Sequence, residues 1–200
     1  REPSSLGNTV IINTNQVFDP QTGKWSQAAG LISITSYGTG AATVGNFAPQ
    51  LIYYIGGFMG GQFSAQAQTY NVENNSWNTA QSMPKPRAYM SIAVVNDILY
   101  AIGGFDGTAW LSTNEQFKPV GYGTVPPRIQ ITSPENKTYT AVALAYTVNK
   151  NVVWTAYSLD NQANVTIQTE VQLTGLSQGG HSVLVYANDS QGNMGVSNIV

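Results

Sequence analysis

The sequence predicts an all-β chain built in two different parts, and three observations predict it. The run Leu51 to Gly57 recurs 47 residues later as Ile98 to Gly104, with Tyr53 matched by Tyr100 and Ile55 by Ile102. Each copy is a short apolar, β-branched run ending in a glycine pair, the pattern of a buried strand whose end passes too close to another backbone for a side chain to fit. An aromatic residue stands thirteen positions after the second glycine of each copy, Tyr70 in one and Phe117 in the other, so the register persists beyond the glycines. From Ile129 onward, apolar and polar residues alternate at strand period with turn signals between the runs.

Composition bounds what such a chain can do. At 200 residues, 42% hydrophobic and 10% aromatic, it has material for a packed core in one large or two modest domains. Only 9% of residues are charged, against about 25% in an ordinary soluble domain, and Asn, Gln, Ser, Thr and Gly do the polar work instead. That profile suits a secreted β-protein. A net charge of -2 with no basic run excludes an electrostatic nucleic-acid partner, which needs clustered Lys and Arg. No apolar segment approaches the roughly 20 residues that span a bilayer, and Arg1 to Ser5 has no apolar signal core. Targeting segments removed, or residues cut from a longer chain, both fit that start. Cysteine is absent and histidine occurs once, so disulfides, thiolate metal sites and Cys nucleophiles are excluded and sheet packing has to carry the stability.

Taken in order, the first unit is a hairpin over Val17 to Trp25, in which Phe18 and Trp25 stand seven apart around a turn rich in Asp, Pro and Gly. The same device returns from Tyr70 to Trp77, with Asn75 where the first copy has Gly23. Asn and Gly best tolerate positive φ, so one turn geometry explains both. Between the hairpins, Ile32 to Val44 and Leu51 to Ile55 read as strands joined by a loop carrying Asn46, Ala48 and Pro49. In the next copy Ala88 to Val95 and Ile98 to Ile102 are joined by Asn96-Asp97 alone, a two-residue hairpin signal, and preceded by Met83 to Arg87. A period of about 50 residues with four strands is the signature of a propeller blade.

Glycine doublet, aromatic thirteen on, Trp seven later, then Met-Pro-x-Pro-Arg: this order is similar to the kelch motif, over roughly residues 6–119. Gly56, Gly57, Tyr70, Trp77 and Arg87 match one complete unit, Gly103, Gly104 and Phe117 match the next, and Phe18 with Trp25 match the outer half of a preceding one. The pattern departs from the family where Thr124 replaces the last Trp and where Ser4-Ser5 replaces the first doublet. The expectation is therefore a partial kelch-type β-propeller of about two to three blades over residues 1–119. A propeller closes with about four to eight blades, so a fragment of a longer chain, a ring of several copies, and an open stack covered by the second domain all stay open.

Residues 120–127 have the Gly and Pro content of a linker. Beyond it, some seven short strands with turns every 8 to 12 residues suggest a β-sandwich over 128–200. The run Ile131 to Tyr139, Trp154 with Tyr157 to Asp160, and Gly180-His181 with Tyr186 to Asn193 resemble the immunoglobulin-like modules of archaeal and bacterial cell-surface proteins. That resemblance implies a spacer or presenter without chemistry of its own. Val196 to Val200 reads as the start of a last strand, too short to pair well.

Few residues carry candidate chemistry. His181 follows a Gly-Gly turn and opens an apolar strand, with no catalytic motif around it and no second His, so a structural role is expected and no metal site is. Asp189, in the run Asn188 to Asn193, offers hard oxygens for calcium, but the spacing lacks the acidic ladder of an EF-hand and a turn held by Asn and Asp side chains is the simpler reading. The glycine pairs are not phosphate loops, since no Lys-Ser/Thr follows. Asn74, Asn136, Asn164 and Asn188 satisfy the Asn-x-Ser/Thr rule and are glycosylation candidates if the chain is exported. Phe58, Met59 and Phe63 follow the first glycine pair and Phe105 and Trp110 the second, so both inter-strand loops carry apolar residues among glycines. Such rings suit sugar or peptide contacts, or they pack between blades.

These features point to a non-catalytic extracellular or cell-surface recognition or adhesion protein. It would need no cofactor and would bind a protein or glycan at a cell surface. Assembly of copies into a ring, sheath or filament, and a role as the non-catalytic part of a larger secreted enzyme, are the alternatives.

Overall fold

A computed structural model describes residues 12–200; the Ser4-Ser5 pair lies outside the described residues. The described residues contain no helix, and the chain divides into two compact units: Arg1–Gly45 with Pro49–Val120, and Gly121–Val200 with Asn46–Ala48.

The first unit opens with a hairpin of β1 (Asn15–Asp19) and β2 (Lys24–Ala28), in which Phe18 faces Trp25. A four-stranded antiparallel sheet follows, built from β3 (Thr39–Ala42), β4 (Ile52–Ile55), β7 (Ala67–Asn71) and β8 (Ser76–Ala80) in the order β3-β4-β7-β8. Between β4 and β7 the chain forms a small ribbon, β5 (Phe58–Met59) paired with β6 (Gln62–Phe63) around Gly60 and Gly61, where the sequence reads as a plain loop. The next sheet has three strands, β9 (Ser91–Val95), β10 (Ile98–Ile102) and β11 (Asn114–Phe117), and Asn96 and Asp97 both take positive φ at its two-residue turn. Tyr53, Ile55 and Ala67 of the four-stranded sheet meet Leu99 and Ala101 of the three-stranded one, and Met90 just ahead of it, in a shared core. Burying a side chain such as Leu99 contributes about 1.5–3 kcal/mol, so this seam is what holds blade to blade.

Two expected strands are shorter than their apolar runs. Instead of Ile32 to Val44 the strand is Thr39–Ala42, and instead of Ala88 to Val95 it is Ser91–Val95. The cause is local: Tyr37 and Tyr89 both adopt φ 57°, which no strand residue does, and the chain kinks before each strand. Backbone groups ahead of the first kink find side chains instead. The buried Gln68 amide donates to Ser33 O at 2.8 Å and accepts from Ser33 N at 3.0 Å, and Tyr54 Oη donates to Thr35 O at 3.1 Å.

The second unit holds seven strands in two antiparallel sheets: β12 (Ile129–Ser133), β13 (Val142–Val148) and β16 (Val171–Leu173) in one, and β15 (Val165–Thr166), β14 (Trp154–Leu159), β17 (Val183–Asn188) and β18 (Met194–Val196) in the other. Alternate residues of both sheets, Val142, Leu144, Leu173, Val183 and Val185 among them, share one buried core. The final residues pair better than their length suggested. Beyond β18, Ser197 N donates to Val185 O at 2.9 Å, and Val183 and Val200 exchange backbone hydrogen bonds at 2.9 and 3.3 Å. Val200 also packs on the core, so an apolar last residue extends the pairing.

Candidate binding site

The repeat residues build the frame on which the site stands. Across β7 and β8, Tyr70 and Trp77 have ring centroids 5.2 Å apart, and Phe18 and Trp25 across β1 and β2 have the same 5.2 Å. In the complete blade both polar tips are tied: Trp77 Nε1 donates to Ala29 O and Tyr70 Oη to Asn75 Oδ1, each at 2.8 Å. Asn75, at φ 50° where its counterpart is Gly23 at φ 67°, also accepts Ala29 N at 2.8 Å and so links the two hairpins. Phe117 packs edge-on to Tyr53 at 6.1 Å. Burial, together with the Asp97 carboxylate, pushes the Tyr53 phenol up to about 12.

The glycine pairs mark close backbone crossings. A Cβ on Gly56 would lie 2.6 Å from Arg87 O, one on Gly57 2.5 Å from Ser36 O, and one on Gly104 2.8 Å from Ala88 O; Gly103 has more room, at 3.4 Å from Leu111 O. Arg87 is 0% exposed, with Nη1 2.6 Å from Glu115 Oε2 and Nη2 3.3 Å from Ala101 O. Its carbonyl accepts Gly57 N at 2.9 Å, so one residue fastens both sheets through side chain and backbone. Glu115, which completes the pair, carries no motif signal in the sequence.

Immediately beyond each glycine pair the backbone is pinned a second time. Ser36 and Phe58 exchange hydrogen bonds at 3.0 and 2.7 Å, and Ala88 and Phe105 do the same at 3.1 and 2.9 Å. The residue after each pinned position is a tyrosine at φ 57°, and Tyr89 N donates to Tyr37 O at 3.3 Å. A bulky residue held there costs about 1–3 kcal/mol. The result is a continuous array of six rings: Phe58 to Phe63 at 5.2 Å, Phe63 to Phe105 at 5.6 Å, Phe105 to Trp110 at 5.2 Å, Trp110 to Tyr89 at 6.3 Å and Tyr89 to Tyr37 at 4.9 Å. Phe58, Phe63 and Phe105 are half-buried, with Phe63 laid on the Gly107 backbone, and form the base. Trp110 is 74% exposed, Tyr37 57% and Tyr89 52%. None of these three polar tips has a hydrogen-bond partner among the described residues, unlike those of Tyr70, Trp77, Tyr54 and Trp154.

Asp106 borders the array. Donors from Ala109 N, the Thr108 hydroxyl and Thr108 N converge on its Oδ1 at 2.7–2.9 Å and hold the carboxyl down at about 2, leaving Oδ2 without a partner among the described residues. The sequence singled out Phe58, Phe63, Phe105 and Trp110 but missed Tyr37 and Tyr89. These two stand 19 and 14 residues before their glycine pairs, because the β3–β4 and β9–β10 connections differ in length, and the repeat register hides their equivalence.

Elsewhere the candidates have structural partners. Asp189 is buried, and its oxygens accept Lys150 Nζ at 3.0 Å, Gln191 N and Asn193 N at 3.0 Å and the Asn193 amide at 2.9 and 3.1 Å. Lys150 also donates to Val125 O. An ammonium in that position occupies the place a calcium ion would need, so the calcium reading gives way to a structural anchor. Burial raises the Asp189 carboxyl, but the donors from Asn193, Lys150 and Gln191 outweigh it and hold the group at about 2. His181 places Nδ1 2.7 Å from Asp160 Oδ2 and Nε2 3.0 Å from Ser177 O, which ties two turns together. No group of three or more His, Asp or Glu side chains among the described residues is arranged to hold a metal. No helix among the described residues is long and apolar enough to cross a membrane. Asn74, Asn136 and Asn164 are exposed, whereas Asn188, at the end of β17, is half-buried with its Oδ1 inside.

Comparison with known proteins agrees with the repeat. The Kelch motif matches residues 37–84 and 86–121. Kelch-like protein 22 of Xenopus tropicalis is 31% identical over 101 residues, which is 49% of this chain and 15% of that protein; spermatocyte protein spe-26 of Caenorhabditis elegans is 36% identical over 98 residues, 49% of this chain and 16% of that protein. The chain thus spans about one sixth of the length of these curated relatives. A copper-bound fungal alcohol oxidase of the AA5 family covers 88% of this chain and 44% of its own at 13% identity, but its TM-score of 0.39 carries no argument. Kelch motifs are therefore present in the first unit, and its repeated antiparallel sheets fit a partial β-propeller.

Proposed function

We propose that this chain is a non-catalytic recognition module that binds its target through the aromatic array beside the glycine pairs. The observation that carries the reading is the exposed trio Tyr37, Tyr89 and Trp110, two of them on strained backbone and all three without a hydrogen-bond partner for their polar tips among the described residues. Strain of this kind persists where the surroundings over-determine it, and it concentrates at binding sites. Kelch repeats generally mediate protein–protein binding, and Kelch-like relatives are generally non-enzymatic, which supports the same class.

In this proposal residues 1–119 are the binding domain, 120–127 a linker, and 128–200 an immunoglobulin-like β-sandwich that acts as spacer. The seven short strands in two sheets around one core support the sandwich assignment. An extracellular or cell-surface setting is proposed from the 9% charged composition and the exposed sequons at Asn74, Asn136 and Asn164. The test is substitution of Trp110 and Tyr89 by Ala: binding to the target should fall while the thermal midpoint holds. Loss of stability with binding intact would return the rings to a packing role. For the setting, an intact mass equal to the bare polypeptide, measured on chain from its native cell, would remove the glycoprotein part.

A second reading, self-association, draws on the exposed Val17, Phe18 and Trp25 of the first hairpin. Light scattering separates the two, since a concentration-independent monomer counts against assembly.

A further inference from the structure

We infer that the Tyr37–Tyr89–Trp110 face is a platform for a neutral oligosaccharide, an assignment that rests on the recognition reading and names its ligand class. Size comes first. The three exposed rings are in contact and tilted to one another, Tyr37 and Tyr89 by 37° at 4.9 Å and Tyr89 and Trp110 by 49° at 6.3 Å. Aromatic side chains present about 150–250 Å² each, so at their exposures the face offers roughly 300–450 Å². A stable protein interface takes about 800 Å² per partner. The three rings by themselves fall short of that area and are on the scale of a short ligand.

Charge comes next. The segments that build the face, residues 36–38, 56–63, 87–90 and 103–111, contain one cation, Arg87, and its guanidinium is buried against Glu115. The bordering carboxylate is Asp106, held ionised. An anionic ligand would meet a negative charge and no counter-charge, and a strongly cationic one would meet a single carboxylate at the edge.

Chemistry comes last. Sugar rings present C–H faces that lie on aromatic rings, and hydroxyls at their edges that seek donors and acceptors. The face supplies both: the exposed parts of three rings, which also touch one another, and two phenol hydroxyls, the Trp110 indole N–H and Asp106 Oδ2, which have no hydrogen-bond partner among the described residues. The residues beside them in the chain, Ser36, Gly38, Gly107, Thr108 and Ala109, are small. The left-handed backbone at Tyr37 and Tyr89 sets where the two side chains leave the chain, and their mutual ring contact at 4.9 Å restricts the phenols before the ligand arrives, which lowers the ordering cost of binding.

The test titrates the 200-residue chain separately with cellohexaose, maltohexaose, mannohexaose and chitohexaose, with a heparin-derived hexasaccharide as the anionic control, read by saturation-transfer NMR and tryptophan emission. At least one neutral hexasaccharide should bind with Kd of about 1 mM or tighter. Trp110→Ala should weaken it about tenfold. Tyr37→Gly and Tyr89→Gly should weaken it while leaving the thermal midpoint unchanged or higher, because glycine relieves the backbone; Tyr89→Phe, which keeps the ring, guards against misfolding of the larger changes. Silence of all four neutral sugars, binding unaffected by the three ring variants, or binding of the heparin fragment alone each overturns the proposal. A protein captured by the native chain and lost by Trp110→Ala, with the sugars silent, overturns the sugar class and leaves recognition standing. A lowered midpoint in both glycine variants overturns both.

Discussion

Replacing Gly57 with Ala should destabilise the first unit by about 3 kcal/mol or more, several times the cost of the same change at Gly23. Both glycines have positive φ, 106° and 67°. A left-handed conformation costs an L-residue about 1–2 kcal/mol, and the lost freedom of the unfolded chain returns about 0.4–1 kcal/mol. Gly23 faces nothing within 4 Å, so Gly23→Ala should cost only the difference, about 0.5–1 kcal/mol. At Gly57 the new Cβ would lie 2.5 Å from Ser36 O and 2.9 Å from Gly38 N, and both obstacles are backbone. Relief requires moving the Ser36–Phe58 bridge or the Gly57 N to Arg87 O hydrogen bond of 2.9 Å. Overpacking adds about 1–3 kcal/mol and a compromised hydrogen bond about 1 kcal/mol. Urea denaturation of the two variants, followed by tryptophan emission, measures the difference. Equal midpoints for Gly57→Ala and Gly23→Ala would refute the reasoning that the doublet marks a backbone crossing.

Three further outcomes follow from the charged groups. Glu115→Gln should cost about 3 kcal/mol, because it strips the fully buried Arg87 guanidinium of its carboxylate, whereas Arg87→Met leaves a Glu115 that is 23% exposed and can hydrate, and should cost less; a larger loss for Arg87→Met contradicts this, with denaturant midpoints as the measure. In the second unit the Asp189 carboxyl lies at about 2 against an ordinary 3.8, so the ionised form favours the fold: its contribution is complete above about pH 4 and is lost as pH falls toward 2. Asp189→Asn should flatten that acid limb of the Trp154 signal relative to the native chain, and an unchanged limb would contradict it. For His181 the sign reverses, because hydrogen bonds that its ring donates to the Asp160 carboxylate and to the Ser177 carbonyl raise its pKa above the ordinary 6.5. Its contribution is present below 6.5 and fades as pH rises through the raised value; an NMR titration midpoint at or below 6.5 would count against the pair.

Much of the blade was legible because the residues that build it are locally obligatory. Gly56, Gly57 and Gly104 have no room for a side chain, since a Cβ there would lie 2.5–2.8 Å from a carbonyl oxygen of a crossing backbone, and Phe18, Trp25, Tyr70 and Trp77 keep a fixed spacing because each pair spans one hairpin. Asn75 stood in for Gly23 by conformation, which sequence chemistry anticipates. The rest depended on contacts that no local pattern encodes. Arg87 finds Glu115 across 28 positions, and Asp189 finds Lys150 across 39, so neither partner could be named from a motif. Tyr37 and Tyr89 fall inside the runs Ile32 to Val44 and Ala88 to Val95, which read as strands; tertiary bridges at Ser36 and Ala88 force them out of the ladder. Val196 to Val200 looked too short to pair, yet β17 supplies hydrogen-bonding groups along its length for those residues.

The central claim is that Tyr37, Tyr89 and Trp110 are held for recognition and not for packing. The most direct measurement is the thermal midpoint of Tyr89→Gly, determined beside its affinity for the best-binding ligand of the native chain. The account predicts an unchanged or higher midpoint, since glycine removes the strain at φ 57°, together with weakened binding. A midpoint lowered by several degrees with affinity intact would contradict it, and would place the aromatic array in the structure of the blades alone.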